Sequence, residues 1–176
     1  VEAIEAAPGG GFAVKTNCNS YSTRAVLLAI GRRGSPRKLG VPGEEMSKVV
    51  YRVIDPGQHR NQNVLVVGGG DSALEAATSI AAETGTTVAL SYRSAAFSRA
   101  KPKNRQLVEE MQATGRIRVL FNSNVQAIGE RSVIIEVEGT NESIANDAVI
   151  VSAGGILPSA FLRTIGINVE TKWGTE

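Results

Sequence analysis

The hydrophobic pattern changes character along the chain. Near the amino end, Phe12-Ala13-Val14-Lys15-Thr16 alternates apolar and polar positions, Asn17 to Ser20 is polar, and Ala25 to Ile30 is a second apolar run. Two such runs about a polar turn predict a β-hairpin. Residues 31 to 45, "GRRGSPRKLGVPGEE", have no period and are broken by glycine, proline and basic residues. They predict an irregular connection, with a domain boundary near residues 40 to 50.

From residue 63 the pattern becomes strand, helix, strand, helix, strand, the order of a parallel sheet with crossover helices. Asn63 to Val67 is the first strand, and residues 71 to 84 carry Leu74, Ala77 and Ile80 or Ala81 at helical spacing. Asp71 and Ser72 stand at the helix start, where a side-chain acceptor satisfies free amides. Thr87 to Tyr92 is the second strand, "NRQLVEEMQATG" the second helix with Gly115 to end it, and "IRVLF" the third strand. Val133 to Val137 and Ala148 to Val151, separated by the turn signal "EGTN", then read as hairpin-like β. No internal repeat or low-complexity tract interrupts the chain.

Between the first strand and helix the chain reads "NVLVVGGGDSALEAA". Gly68, Gly70 and Ala73 fall in the G-x-G-x-x-G/A spacing, in which the first glycine permits the tight turn, the second lets a pyrophosphate approach the backbone, and the small third residue lets helix and strand pack closely. The helix amino terminus offers amides and partial positive charge to phosphates. The fold class expected is therefore α/β: a Rossmann-like βαβ nucleotide-binding domain with a three-layer parallel sheet plus a β-hairpin. A tight glycine turn without a ligand is the plainer alternative.

An NAD site places an acid about 20 residues past such a turn, against the ribose hydroxyls. Here the chain reads Ser91, Tyr92, Arg93, and "YRSAAFSRAKPKNR" carries Arg93, Arg99, Lys101, Lys103 and Arg105 without an acid. That content suits a ribose 2′-phosphate, at Arg93 and Arg99 above all, while a solvated basic loop is the plainer alternative and the favoured one for Lys101, Lys103 and Arg105. A methyltransferase using S-adenosylmethionine would want an acid at the same place and is disfavoured.

Composition narrows the classes further. At 176 residues and 42% hydrophobic content the chain is neither disordered nor fibrous. No stretch approaches the roughly 20 apolar residues of a membrane helix, and no charged-then-apolar signal segment opens the sequence, so no membrane partner and a cytoplasmic location are expected. A net charge of +2 calls for no nucleic acid. The single cysteine, Cys18, and single histidine, His59, lack partners for a disulfide, a CxxC pair or a metal site, and read as structural. Glu75 reads as a solvent-facing helix residue, and Phe161 and Trp173 as packing residues of the carboxyl-terminal segment.

"VLLAIG" followed by "LGVPGEE", "VLVVGGGDSALEAA", "SYRSAAFSRA" and "DAVIVSAGGILPSAFLRTIGI", in that order over nearly the whole chain, resembles the thioredoxin reductase-like branch of the FAD/NAD(P)-dependent oxidoreductases, within the pyridine nucleotide-disulfide oxidoreductase superfamily. The resemblance implies an NAD(P)H-binding domain inserted into an FAD domain. Residues 1–46 would be a partial FAD-domain segment, 47–153 the NAD(P)H-binding domain, and 154–176 the start of the returning FAD-domain segment. It implies cofactor contacts at Gly68, Gly69, Gly70, Asp71, Ser72 and Ala73 in the glycine turn, at Tyr92, Arg93 and Arg99 in the basic motif, and at Ala153, Gly154 and Gly155 in "SAGG", with "AIG" at Ala29 to Gly31 as the other crossing segment.

Two departures matter. The thioredoxin reductases carry a CxxC pair before the glycine turn, where this chain has "YRVIDPGQHR", so it looks closer to ferredoxin–NADP reductases or bacillithiol disulfide reductase-like proteins. The family's FAD fingerprint and carboxyl-terminal Gly-Asp segment are missing, and the chain begins with Val1, which implies a fragment of a longer flavoprotein. The expected cofactors are NADP(H) in this chain and FAD in the parent. The expected partners are NADPH and an unidentified electron acceptor, and apolar surface bared on the hairpin would favour a homo-oligomer. No catalytic acid, base or metal ligand is expected, since the chain's task would be to position nicotinamide against flavin. A non-catalytic NAD(P)-sensing module is the alternative.

Overall fold

The computed structural model describes residues 1–31 and 34–170. The expectation for Trp173 lies outside them. The chain forms two compact units, one of Val1–Ser35 and Gly155–Glu176, the other of Pro36–Gly154.

The first unit holds an antiparallel sheet of β1 (Ala3–Ala6), β2 (Phe12–Lys15) and β3 (Ser20–Thr23) in the order β1-β2-β3. The hairpin partner of β2 is thus the polar Ser20–Thr23 and not Ala25 to Ile30, which carries no strand. Thr16 closes the turn by donating its amide and hydroxyl to the Asn19 carbonyl, both at 2.8 Å. Pairing therefore resumes at once, with Lys15 opposite Ser20. A two-sided, exposed ribbon gains little from an apolar face, so turn geometry sets its register. The two-residue strand β4 (Ser35–Pro36) falls where the chain passes into the second unit.

The second unit is built on five parallel strands. These begin with β5 (Val49–Val50), then, after a short 3-10 helix at Pro56–His59, β6 (Asn63–Val67), helix α1 (Asp71–Ala81), β7 (Thr87–Ser91), helix α2 (Pro102–Ala113) and β8 (Ile117–Leu120). An antiparallel meander of β9 (Ser123–Ile128), β10 (Ser132–Val137) and β11 (Thr140–Ala145) follows, and β12 (Ala148–Val151) completes the sheet in the order β5-β12-β6-β7-β8. The chain returns to the first unit through β13 (Gly155–Ile156), and its last described element is α3 (Ser159–Thr164), where Phe161 is half-buried.

Three layers result. Val64, Val66, Val88 and Leu90 face α1 and α2, packing on Leu74, Ala77, Ile80 and Val108, while Leu65, Val149 and Val151 face the meander through Val125, Val133 and Ile135. Covering both faces of β6 explains its unbroken apolar run. The same coverage accounts for a correction: Ala148–Val151 is buried throughout and pairs in parallel with Val64–Val67, so it is a sheet strand and not a hairpin mate of Val133 to Val137. The "EGTN" turn instead joins β10 to β11, with Glu138 and Gly139 at φ 50° and 83°, the two left-handed positions of a type I′ turn. Gly115, at φ 72°, ends α2 as expected: its amide donates to the Gln112 carbonyl and that of Arg116 to Met111, the paired bonds of a Schellman cap.

Candidate functional site: the carboxyl edge of the parallel sheet

Parallel pairing ends four strands along one edge. Val151 stands beside Val67, Val67 beside Ser91, and Ser91 beside Leu120. The ladder continues one step past them, where Ser152 N–H donates to Val67 O at 2.8 Å, Gly68 N–H to Ser91 O at 2.9 Å and Tyr92 N–H to Leu120 O at 2.9 Å. Three segments far apart in the chain thus leave the sheet together: Gly68–Gly70 from β6, Tyr92–Arg93 from β7, and Ser152–Gly154 from β12. Strands β7 and β12 flank β6 on opposite sides, so the order of strands reverses at β6, and in open α/β sheets the crevice at such a reversal is where ligands bind.

Each glycine of the turn has a separate reason. Gly68 holds φ 146°, and a side chain there would overlap the Ser152 carbonyl and press on the Ala73 methyl at 3.0 Å. Gly69 sits under the Tyr92 ring, which occupies the place of a side chain. Gly70 faces open space, with no atom within 4 Å of where its Cβ would stand. Ala73 is fully buried where α1 meets the sheet, as close helix–strand packing requires.

Gly70 is also the amino cap of α1, and no side chain caps it. That corrects the expectation that Asp71 or Ser72 would satisfy the first amides. Asp71 turns instead to the second helix, where its Oδ1 accepts from the Lys101 amide and from Asn104 Nδ2, both at 2.8 Å. The bond from the Lys101 amide, foremost, holds the Asp71 carboxyl below its ordinary value, against burial, which raises it, with the Asn104 bond and the Lys101 charge adding to the lowering. Ser72 is exposed. The uncapped first turn of α1 leaves amides and the positive end of the helix dipole pointing into the crevice.

Beyond β7, the Tyr92 ring stacks on Phe97 with centroids 5.5 Å apart, and Phe97 in turn meets Phe121 at 4.8 Å. This aromatic row buries the middle of an otherwise exposed loop. Arg93 and Arg99 are both exposed. Two ion pairs occur among the described residues, Arg60–Glu83 and Arg118–Glu142, and neither involves Arg93, Arg99, Lys101, Lys103 or Arg105. Ala153 is half-buried and Gly154 exposed after β12, while Gly155 opens β13 in the other unit.

Asn104 was legible only as part of a basic run, yet its amide joins Asp71 to Glu75 Oε1 at 3.1 Å. Glu75, exposed as expected, therefore has a partner. The sequence marks Ser91 only as a position without an acid, and Ser123 not at all. Both are buried, with hydroxyls 2.8 Å apart under the start of the loop. Proline at the first position of α2 was the one local sign that a helix begins at Pro102, ahead of the expected start.

Other chemistry-bearing residues lie elsewhere. A cleft of about 670 Å³ lined by Met46, Ser47, Lys48, Glu130, Arg131 and Asp147 opens near the amino ends of the strands, away from the glycine turn. Its lysine is engaged: Lys48 Nζ donates to Glu130 O and Asn146 O, and burial lowers its pKa against the raising effect of Asp147. His59 Nδ1 meets Gln62 Oε1 at 3.0 Å, and Cys18 is exposed in the first unit. Among the described residues, no group of three or more His, Cys, Asp or Glu is placed to hold a metal, and no helix is long and apolar enough to cross a membrane.

A doubly covered parallel sheet with a glycine turn at its strand-order reversal defines an α/β unit with Rossmann-like topology. The family model described as pyridine nucleotide-disulphide oxidoreductase matches residues 1–175, and the chain belongs to that family. It is 32% identical to a ferredoxin–NADP reductase of Ignicoccus hospitalis over 88% of this chain and 51% of that protein. To the bacilliredoxin reductase Bdr of Bacillus subtilis it is 30% identical, over 93% and 51%. The solved bacillithiol disulfide reductase Bdr of Staphylococcus aureus superposes with a TM-score of 0.83 at 28% identity, covering 97% of this chain and 52% of that one. The chain spans about half the length of the relatives it matches.

Proposed function

We propose that this chain is the NADPH-binding part of a flavin-dependent oxidoreductase. It would position NADPH for hydride transfer to an FAD held by protein outside this chain, and alone it would bind nucleotide without turnover. The observation that carries this reading is the meeting, at the strand-order reversal, of an open glycine turn, an uncapped helix start and a basic loop whose arginines form no ion pair among the described residues.

The residues present suit such a ligand. The pyrophosphate would lie over Gly70, where no atom stands in its way, with the first amides of α1 as donors. Arg93, with Arg99 beyond it on the same loop, would take the ribose 2′-phosphate, and guanidinium is suited to that by its fork of donors. Ser152 to Gly154 would border the nicotinamide end. The nicotinamide supplies the hydride, so the protein's part is orientation and exclusion of water. The family's FAD fingerprint is missing from this sequence, and the division into FAD-domain pieces flanking an NADPH domain belongs to the same proposal.

Calorimetric titration with NADPH and NADH tests the reading. NADPH is expected to bind the more tightly, and Arg93→Ala to bring its affinity down towards that of NADH. Equal, arginine-independent affinities would overturn the assignment of the 2′-phosphate.

A further inference from the structure

We infer that Asn104 and Asp71 form a clamp between the two helices that holds the basic loop against the glycine turn, making Asn104 a positioning residue for preference between NADPH and NADH. This rests on the function proposed above.

The loop from Tyr92 to Lys101 is exposed at both arginines, yet it is tied down along its length. At its start, Tyr92 N–H donates to Leu120 O and Ser123 N–H to Tyr92 O, at 2.9 and 3.2 Å. In its middle, Phe97 and Ala100 are buried. Its far end poses a problem of helix chemistry. Lys101 caps α2 but offers no side-chain acceptor, and Pro102 has no amide to give.

Asp71, from the start of the other helix, accepts from one of the free amides at that helix start, Lys101 N, and from the side-chain amide Asn104 Nδ2. A carboxylate at a helix amino terminus is favoured by the helix dipole. Asn104 then spends the second hydrogen of the same nitrogen on Glu75 Oε1, so one amide group spans two carboxylates a turn apart on α1. Asp71 and Glu75 thereby have donors directed at them. That matters for Asp71, which follows Gly70 directly and would otherwise set an unbalanced negative charge beside an anionic ligand.

The clamp acts on one part of the ligand. NADH and NADPH share the pyrophosphate that would lie over Gly70, and differ in the 2′-phosphate that would meet the loop. Without Asn104, Asp71 keeps its bond from the Lys101 amide but loses the side-chain donor that fixes its carboxylate and ties it to Glu75. The Lys101 end is then held less firmly and the arginines lose preorganisation, while the turn, whose shape is set by Ser152 and Tyr92, stays in place. Loss of Asn104 is thus expected to lower affinity for NADPH and to spare that for NADH.

The test is calorimetry on the full chain with NADPH and with NADH, for the unaltered protein, Asn104→Ala, the Arg93→Ala/Arg99→Ala pair, and all three changes together. Asn104→Ala is expected to weaken NADPH binding about tenfold, the worth of a lost charge-assisted contact, and NADH binding less than about twofold. In the background without the two arginines the same substitution should change NADPH affinity less than about twofold, because nothing is left to position. A merely structural role would lower both nucleotides together, or add its effect unchanged to the arginine loss, and either result overturns the clamp. If Asn104→Ala does not fold, Asn104→Gln takes its place, keeping the donor one methylene displaced, with a smaller but still NADPH-selective loss expected. If the unaltered chain binds neither nucleotide, the proposed function falls and the clamp's role falls with it. If it binds NADPH and the selectivity of Asn104→Ala is unchanged, the clamp alone falls.

Discussion

The ring of Tyr92 occupies the space in which a side chain on Gly69 would stand. Two residues at the ends of adjacent strands therefore shape one another. Stacking on Phe97 holds the ring in place, so it cannot yield cheaply. Gly69→Ala is expected to cost about 1–3 kcal/mol, as overpacking in a fitted site does. Urea unfolding checks this, and most of the difference should vanish in a Tyr92→Ala background, where the ring is gone.

Gly70 presents the opposite case. Its φ of −99° and ψ of 176° are open to any residue, and its surroundings are empty. Gly70→Ala should leave stability within about 0.5 kcal/mol. Its methyl group would intrude on a pyrophosphate lying over the turn, so NADPH affinity should fall about tenfold or more. Unchanged binding in a calorimetric titration would put the pyrophosphate somewhere else.

Acid should weaken the second unit through Asp147. Its carboxylate accepts from Asn63 N at 2.8 Å and Asn63 Nδ2 at 3.0 Å, joining the starts of β6 and β12. The backbone bond, then the side-chain bond, lowers its pKa against a smaller effect of burial, with Lys48 and Arg131 adding to the lowering. A carboxyl whose folded pKa lies below its unfolded value stabilises the fold above the unfolded value, and that contribution is lost as pH falls through the folded one. Stability should therefore decline as pH drops below about 4. Thermal melts of Asp147→Asn over that range should fall less steeply than those of the unaltered chain, and parallel curves would remove Asp147 as a cause.

The first unit leaves Tyr21, Leu27, Ile156 and Leu157 largely exposed. Apolar surface of this kind favours association, so the mass from light scattering should rise with protein concentration. Leu27→Ser, at the most exposed of these side chains, should reduce the rise. A monomer mass independent of concentration would count against this.

Much of the second unit was legible locally, for reasons that can be named. The helix of Asp71–Ala81 shows in the spacing of Leu74, Ala77 and Ile80, all buried, and the strand Asn63–Val67 in an apolar run ending at glycines. Nothing in the local sequence marks Ser123–Ile128 as a strand, although its burial alternates over its first four residues, because Asn and Gln at its exposed positions lower its β character. Ala148–Val151 reads locally as a strand, but its partner is not legible, since four apolar residues look alike in a hairpin and in a doubly covered sheet.

The sequence by itself determined the local pieces: the glycine turn between a strand and a helix, and the basic run without acids after the second strand, because backbone freedom, apolar period and charge are properties of neighbouring residues. Only the tertiary structure decided that β12 inserts beside β6 and brings Ser152 over Gly68, that Tyr92 closes on Gly69, and that Asp71 ties the start of the other helix through the Lys101 amide and the Asn104 side chain. Each of these joins residues some 20 to 85 positions apart, and such contacts depend on strand order and helix packing, which no local pattern encodes.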